Sequence, residues 1–446
     1  MAINRTSQSV VFRNTIDAES NATSFTIRLP NPAATSVTNL ITDEGEIIEE
    51  ETPPDNGGNA NGVFVGTDGD DEVFADSANN LVLGLAGNHD LYGFAGDDTI
   101  DGGDGDDRLF DDAGNDQVFA GAGNDSVFGG DGNDFIDGGV GDDQVFGGFG
   151  NDTIIDTSGN DRLDGQSGND LINGGVGSDS VIGGNDNDTV SGGDGGDSVS
   201  GGSGNDRILV DNDSFLDALD GGKGTDIIDF SGLTSGVTYT VNKSVTINGV
   251  ADTTKGFEGI VGTDFADTLI AGGIAELVEG GGGADTLTGG NGNDTFAYAQ
   301  GDGGDLITDF AIGKDKFALD AETFGLAADA TVAFQNVARD GTGSNAGLVN
   351  VEGGKNVYVL QGSFVNAGAA ADALALALAD NGVDEGAGFF VYFNEGQQRA
   401  RLFSVADLDN VDSSIALLAN LGLDDGAQSG AINLLPTFTE SAFGFI

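Results

Sequence analysis

The chain has 446 residues, 75 of them acidic and 15 basic, which gives a formal charge of −60. Charge of that sign repels nucleic acid and anionic lipid and argues against both as partners. With one histidine and no cysteine, disulfides, thiol chemistry and any zinc site built on two histidines are excluded.

Residues 1–42 contain two short alternating runs, 9–12 (SVVF) and 24–29 (SFTIRL), expected to pair as strands. The first residues show no basic start followed by an apolar run, so no cleaved leader is expected, and no stretch reaches eighteen apolar residues. Residues 43–62, with Glu49-Glu50-Glu51-Thr52-Pro53-Pro54 at their centre, read as an acidic, solvated linker.

From Gly66 to Leu209 one nine-residue phrase recurs sixteen times without insertion. Its clean form is Gly129-Gly130-Asp131-Gly132-Asn133-Asp134-Phe135-Ile136-Asp137. Position eight is aliphatic in every copy, from Val73 to Ile208, so a continuous column of side chains is expected to be buried, one inward residue per short strand. Glycines at positions one, two and four suit a loop that adopts positive φ and lets successive backbones stack closely. Two nonapeptides then make one flattened turn, and stacking supplies the core that a single repeat lacks.

Position six is Asp in fourteen of the sixteen copies, the exceptions being Asn80 and His89. Stacking sets these carboxylates in two columns of like charge, which repel unless a cation lies between them. Calcium takes six to eight oxygen ligands in flexible geometry and fits such a cage; magnesium demands stricter geometry. The copies with Asn80 and His89 are expected to bind weakly, leaving the first turns as a cap. His89 is read as structural, and Arg108, Arg162 and Arg207 at position seven as outward charges offsetting nearby acids. Phe74, Phe110, Phe119, Phe128 and Phe146 at position nine are expected to pack into the core in preference to forming an exposed association stripe.

After one further copy at 221–229 the first block, 63–229, ends. A β-rich spacer, 230–261, follows, with runs 237–241 and 244–247 and an Asn248-Gly249 turn signal, expected to close one roll and open another. A second block, 262–310, carries Asp267, Glu276, Asp285 and Asp294 at position six, Glu276 being the poorer ligand. Residues 311–446 lose the period. Strand-like runs at 356–360, 389–393 and 401–405 and helix-like runs at 369–379 and 413–421 suggest a small α+β cap.

The repeats, with the exit phrase Asp305-Leu306-Ile307-Thr308-Asp309-Phe310, resemble the RTX, or hemolysin-type calcium-binding, family of secreted bacterial proteins. That resemblance implies a mainly β fold: a right-handed parallel β-roll in two blocks with calcium between neighbouring loops, and a small C-terminal cap and secretion domain. Carried over residue by residue, the ligands are Asp98, Asp107, Asp116, Asp125, Asp134, Asp143, Asp152, Asp161, Asp170, Asp179, Asp188, Asp197 and Asp206, then Asp226, Asp267, Asp285 and Asp294. It also implies export by a type I ABC transporter, for which Ser441-Ala442-Phe443-Gly444-Phe445-Ile446 looks like the end of an uncleaved signal, and an extracellular or cell-surface location.

No effector is visible. His-Glu-x-x-His and Gly-x-Ser-x-Gly do not occur, so an enzyme is not expected, and the short segment before the repeats argues against a membrane-inserting toxin. The expected function is a secreted calcium-binding protein that folds on calcium outside the cell, most readily as a structural surface or matrix component able to self-assemble or hold cell-surface polysaccharide; the alternative is a monomeric calcium-binding or adhesive module.

Overall fold

The computed structural model describes residues 62–320, apart from 274–275, 300–301 and 312–313, together with strands in the flanking segments. Met1–Gly57 is one compact unit, in which Arg13–Ile16, Thr23–Ile27 and Val37–Ile41 form a three-stranded antiparallel sheet. The expected strand at 24–29 falls largely within Thr23–Ile27; the run at 9–12 and the linker up to residue 61 lie outside the described residues.

Gly58–Ile446 is the second unit. Its repeats wind into a parallel β-solenoid, and no helix occurs among the described residues. Strand Gln117–Ala122 pairs in parallel with Thr99–Asp104 before it and Phe135–Val140 after it, each eighteen residues away in register (Val118↔Ile100, Val118↔Ile136). Odd and even nonapeptides therefore build opposite walls. Many strands run six residues rather than three, because positions seven to nine continue into positions one to three of the next copy, with alternate residues buried. The column at position eight is buried as expected: from Leu91 to Ile208 no member is more than 2% exposed, and only Val73, in the first turn, is partly buried. Each such side chain contributes about 1.5–3 kcal/mol by leaving water.

At position nine Phe74, Phe110, Phe119, Phe128 and Phe146 face outward, half-buried or exposed, contrary to the expectation of core packing, while Leu83 at the same position is buried. Burial alternates along a strand, so a neighbour of position eight must point away from it. On one wall Phe74, Tyr92, Phe110, Phe128 and Phe146 stack ring on ring, with centroids 4.8–5.2 Å apart and planes within 13°. The guanidinium of Arg108 lies 5.3 Å from the Phe110 centroid and that of Arg162 5.6 Å from the Phe146 centroid. The ladder is a cross-strand arrangement in which a parallel sheet holds aromatic side chains one strand apart.

The spacer interrupts one wall only. On the 15-stranded sheet Ile227–Asp229 pairs directly with Gly259–Val261, and the buried column passes from Ile228 to Ile260 to Val278. Opposite, the 11-stranded sheet ends in a hairpin, Val245–Ile247 with Val250–Lys255, turned by Asn248 and Gly249 at positive φ. A new 10-stranded sheet starts at Thr238–Thr240. The two blocks thus share one wall and have separate second walls.

Towards the C-terminus, Val357–Phe364, Gly388–Asn394 and Arg399–Val405 confirm the strand-like runs. The helix-like run at 413–421 is instead strand Ile415–Leu423, parallel to Asp305–Phe310 and antiparallel to Arg399–Val405. Two open sheet edges offer that segment a full ladder of backbone partners, which overrides its modest helix propensity. The run at 369–379 lies outside the described residues. Phe443–Phe445 closes the 15-stranded sheet, parallel to Lys316–Leu319.

Glycine serves two different ends. At positions two and four it supplies positive φ, as at Gly130 (111°) and Gly132 (153°); a Cβ on Gly132 would also overlap the Gly114 carbonyl oxygen of the preceding turn. At Gly69, which holds the same position in the first copy, a Cβ would meet nothing nearer than Thr67 Oγ1 at 3.8 Å. Gly132→Ala is therefore expected to destabilise the roll by on the order of 2 kcal/mol or more and Gly69→Ala to cost little, as read from thermal unfolding in calcium.

Candidate metal centre

Every position-six side chain lies at a corner of the roll, just before the inward-facing residue of its strand. The seventeen aspartates expected to be ligands are all buried there, none more than 3% exposed. Their carboxylates hold the stack together directly. Oδ1 accepts a hydrogen bond from the backbone N–H of the position-six residue one turn earlier. Asp98 N–H donates to Asp116 at 2.7 Å, Asp116 to Asp134 at 3.0 Å and Asp134 to Asp152 at 2.9 Å, and the chain continues to Asp226. The other column runs likewise from Asp107 through Asp125, Asp143, Asp161 and Asp179 to Asp197. On the exposed side, position-five Asn and Asp form a ladder of opposite direction: Asn133 N–H donates back to Asn115 Oδ1 at 3.0 Å and Asn151 N–H to Asn133 Oδ1 at 2.6 Å.

The second oxygen has a different fate. In each expected ligand except Asp267, Oδ2 is buried and meets no N–H or O–H. The space beside it exists because position one is small: a Cβ on Gly102 would stand 2.7 Å from Asp107 Oδ2 and 2.5 Å from the Ala120 carbonyl oxygen of the next turn. This is the role of the position-one glycine, whose φ is ordinary. A buried carboxylate oxygen without a donor, facing a backbone carbonyl oxygen, is a set of hard acceptors with nothing to accept from. A divalent cation with oxygen preference matches that donor set, and calcium suits its flexible, all-oxygen character.

Electrostatics agree. Burial pushes the position-six carboxyls up, opposed by the backbone N–H bond and reinforced by neighbouring carboxylates: Asp98 and Asp107 to about 6, Asp125, Asp143 and Asp152 to about 7, Asp188 to about 8.

Asp267 departs from the others. Both its oxygens are engaged, Oδ2 by the Thr263 N–H at 2.7 Å and hydroxyl at 3.1 Å. Thr67 binds Asp71 in the same way at the start of the first block. Glu276 Oε2 accepts from Gly272 N–H at 2.6 Å. The orphaned oxygens are concentrated inside each block, and its opening turn is closed by protein donors. His89 fits this pattern: its Nδ1 accepts from the Asp71 N–H at 3.1 Å, taking the place of a carboxylate. Arg108, Arg162 and Arg207 pair with Asp90, Asp164 and Asp229.

The columns also include residues that the nonapeptide register misses. Asp197 N–H donates to Asp217, Asp217 to Asp252, Asp226 to Glu258, Asp285 to Asp305 and Asp294 to Asp315. Asp217, Asp305 and Asp315 lie 20 or 21 residues after their partners, with loop insertions absorbed at the corner. The signal was an acid two residues before a buried apolar one, as in Asp217/Leu219, Glu258/Ile260, Asp305/Ile307 and Asp315/Phe317; Asp252, followed by Thr254, had no such signal.

With this geometry established, comparison with known proteins identifies the repeat. The RTX calcium-binding nonapeptide repeat family matches residues 56–88, 92–127, 119–154, 146–181, 155–190, 182–214 and 271–304. The chain is an RTX repeat protein. No curated protein matches it.

The raised carboxyls set a pH dependence for the metal-free RTX roll. A carboxyl whose folded pKa exceeds its unfolded value contributes stability below the unfolded value, near 4, and that contribution is lost as pH rises through the folded values of about 6 to 8. In chelator, the unfolding temperature is expected to fall between pH 5 and pH 8. Saturating calcium is expected to abolish or reverse that slope in the same melts.

Proposed function

We propose that this RTX chain is a secreted calcium-binding scaffold that folds when calcium fills its two carboxylate columns outside the cell, and that it serves as a structural component of a cell surface or matrix. The observation that carries the reading is the orphaned, buried Oδ2 at turn after turn of the roll. In the absence of cations each of these oxygens opposes folding, either by holding a buried charge or by taking up a proton. A ligand that binds only the folded stack converts its binding free energy into folding free energy. The formal charge of −60 adds to the cost of compaction without cations. Export through a type I ABC transporter is consistent with a chain that stays unfolded where calcium is scarce, and the absence of cysteine with an oxidising destination that needs no disulfide.

The scaffold reading rests on how the chain is spent: repeats and sheet edges account for most of the described residues, and no effector motif is present, so we assign it no enzymic activity. The outward aromatic ladder from Phe74 to Phe146 gives one wall a ready face for self-association or for cell-surface polysaccharide.

Light scattering coupled to size-exclusion chromatography, in chelator and then in millimolar calcium, tests both parts. Large, calcium-reversible assemblies are expected. A compact calcium-bound monomer would favour a monomeric binding module, and an unchanged size would remove the folding switch. Within the roll, Asp134→Ala is expected to reduce the calcium-induced β signal in circular dichroism more than Asp71→Ala, because Asp134 Oδ2 is orphaned in mid-stack while Asp71 Oδ2 is already held by Thr67. Equal losses would contradict the stacked-site reading.

A further inference from the structure

Two rungs inside the uninterrupted run of nonapeptides differ from their neighbours; a third group, Asp211, Asp213 and Asp217, lies in the insertion after that run, with Asp211 and Asp213 only partly buried. Position one, a glycine in most copies and alanine in three, is Asp in the copies that begin at Asp111 and Asp156. Both side chains turn into the roll. Asp111 is 0% exposed, and neither of its oxygens meets an N–H or O–H. Asp156 is 8% exposed; its Oδ1 accepts from the Ser158 N–H at 3.1 Å, and its Oδ2 is buried and meets no donor.

Each joins two position-six carboxylates from consecutive turns. Asp98, Asp111 and Asp116 bring one oxygen apiece to within 4.8 Å of one another, and so do Asp143, Asp156 and Asp161. The preceding turn makes room with a glycine in both cases: a Cβ on Gly93 would overlap Asp111 Oδ1 and lie 2.8 Å from Asp98 Oδ2, and one on Gly138 would overlap Asp156 Oδ2. The two clusters are related by a shift of 45 residues, five nonapeptides. Five is odd, so one belongs to each column.

We propose that Asp111 and Asp156 each add a third carboxylate to one rung, creating two tight calcium sites that fill before the remaining rungs. The inference rests on the reading that the columns bind calcium. Affinity of an oxygen cage for calcium rises with the number of ligand charges and the rigidity of the site. An ordinary rung offers carboxylates from position six alone. At these two, a third, desolvated carboxylate is added, Asp111 from within strand Arg108–Ala113 with both oxygens without a donor and Asp156 from just beyond strand Thr153–Ile155 with its Oδ2 without one. In the metal-free chain burial, with neighbouring carboxylates, pushes Asp111 and Asp156 up to about 9. Because the sites lie on opposite columns within the first block, early filling would order the turns spanning residues 93–116 and 138–161 ahead of their neighbours.

The test is equilibrium dialysis of the full chain against chelator-buffered free calcium, with bound calcium per chain measured by atomic emission. The expected curve has a first plateau at two ions per chain, at free calcium about tenfold or more below that needed for the rest. D111G/D156G, which restores the residue found at most other rungs, is expected to lose that plateau while retaining the later uptake, and each single variant to lose one ion from it. Uptake in one uniform phase by the wild type, or a plateau that survives in D111G/D156G, would overturn the proposal. No calcium bound at any concentration would instead overturn the calcium reading of the columns. Hydrogen exchange of the wild type at two equivalents of calcium gives a check independent of any variant: protection is expected first in segments 93–116 and 138–161, and protection beginning elsewhere would count against the sites.

Discussion

The structure depends on a carboxylate that is half satisfied. At position six, one oxygen closes a hydrogen bond to the turn before it, and the other is buried with no donor in reach. The first contact makes the aspartate a structural fastener, as good as any ladder bond between strands. The second makes the same residue a liability in water-free surroundings unless a cation arrives. A column of such groups cannot be replaced by asparagine or histidine without losing one of the two roles. Asn80 and His89 occur in the opening turns, where His89 keeps the backbone contact through a ring nitrogen.

Much of this was legible in the sequence because a stack of identical turns converts linear period into spatial column. Position eight had to be buried and position six had to converge, whatever the details of the loop. The columns, the walls and the expected ligands followed from counting by nine. What was not legible came from the pleat and from the corners. Position nine was expected inside, although a strand that buries its eighth residue must turn the ninth outward. Asp217, Asp305 and Asp315 were hidden by loop insertions that shift the count while leaving the corner in place. The strand at Ile415–Leu423 was hidden because one of its partners, Asp305–Phe310, precedes it by a long stretch of chain, which no local pattern reports.

The threonines show how a repeat stack can begin. Thr67 and Thr263 stand at position two of the first copy in each block, and both bind the position-six carboxylate of their own copy. A hydroxyl and an N–H there supply the donors that interior rungs lack. Gly-Thr-Asp at positions one to three therefore marks an opening turn in this chain, where Gly-Gly-x marks an interior one. The broken wall fits the same logic: the second block needs its own opening turn because one of its walls starts afresh, even though the 15-stranded sheet runs through without a gap.

The eighteen-residue register has a consequence for how such a chain can change length. Each wall, each carboxylate column and the aromatic ladder are made from alternate nonapeptides, paired strand to strand two copies apart. Gain or loss of two copies lengthens or shortens the stack and leaves every downstream residue on its own wall. Gain or loss of one copy would transfer everything after it to the opposite side, splitting the ladder between two faces and carrying the spacer hairpin to the wall that now runs unbroken. Length in this architecture is quantised in pairs, so duplication of a single repeat is a change of surface rather than a change of size.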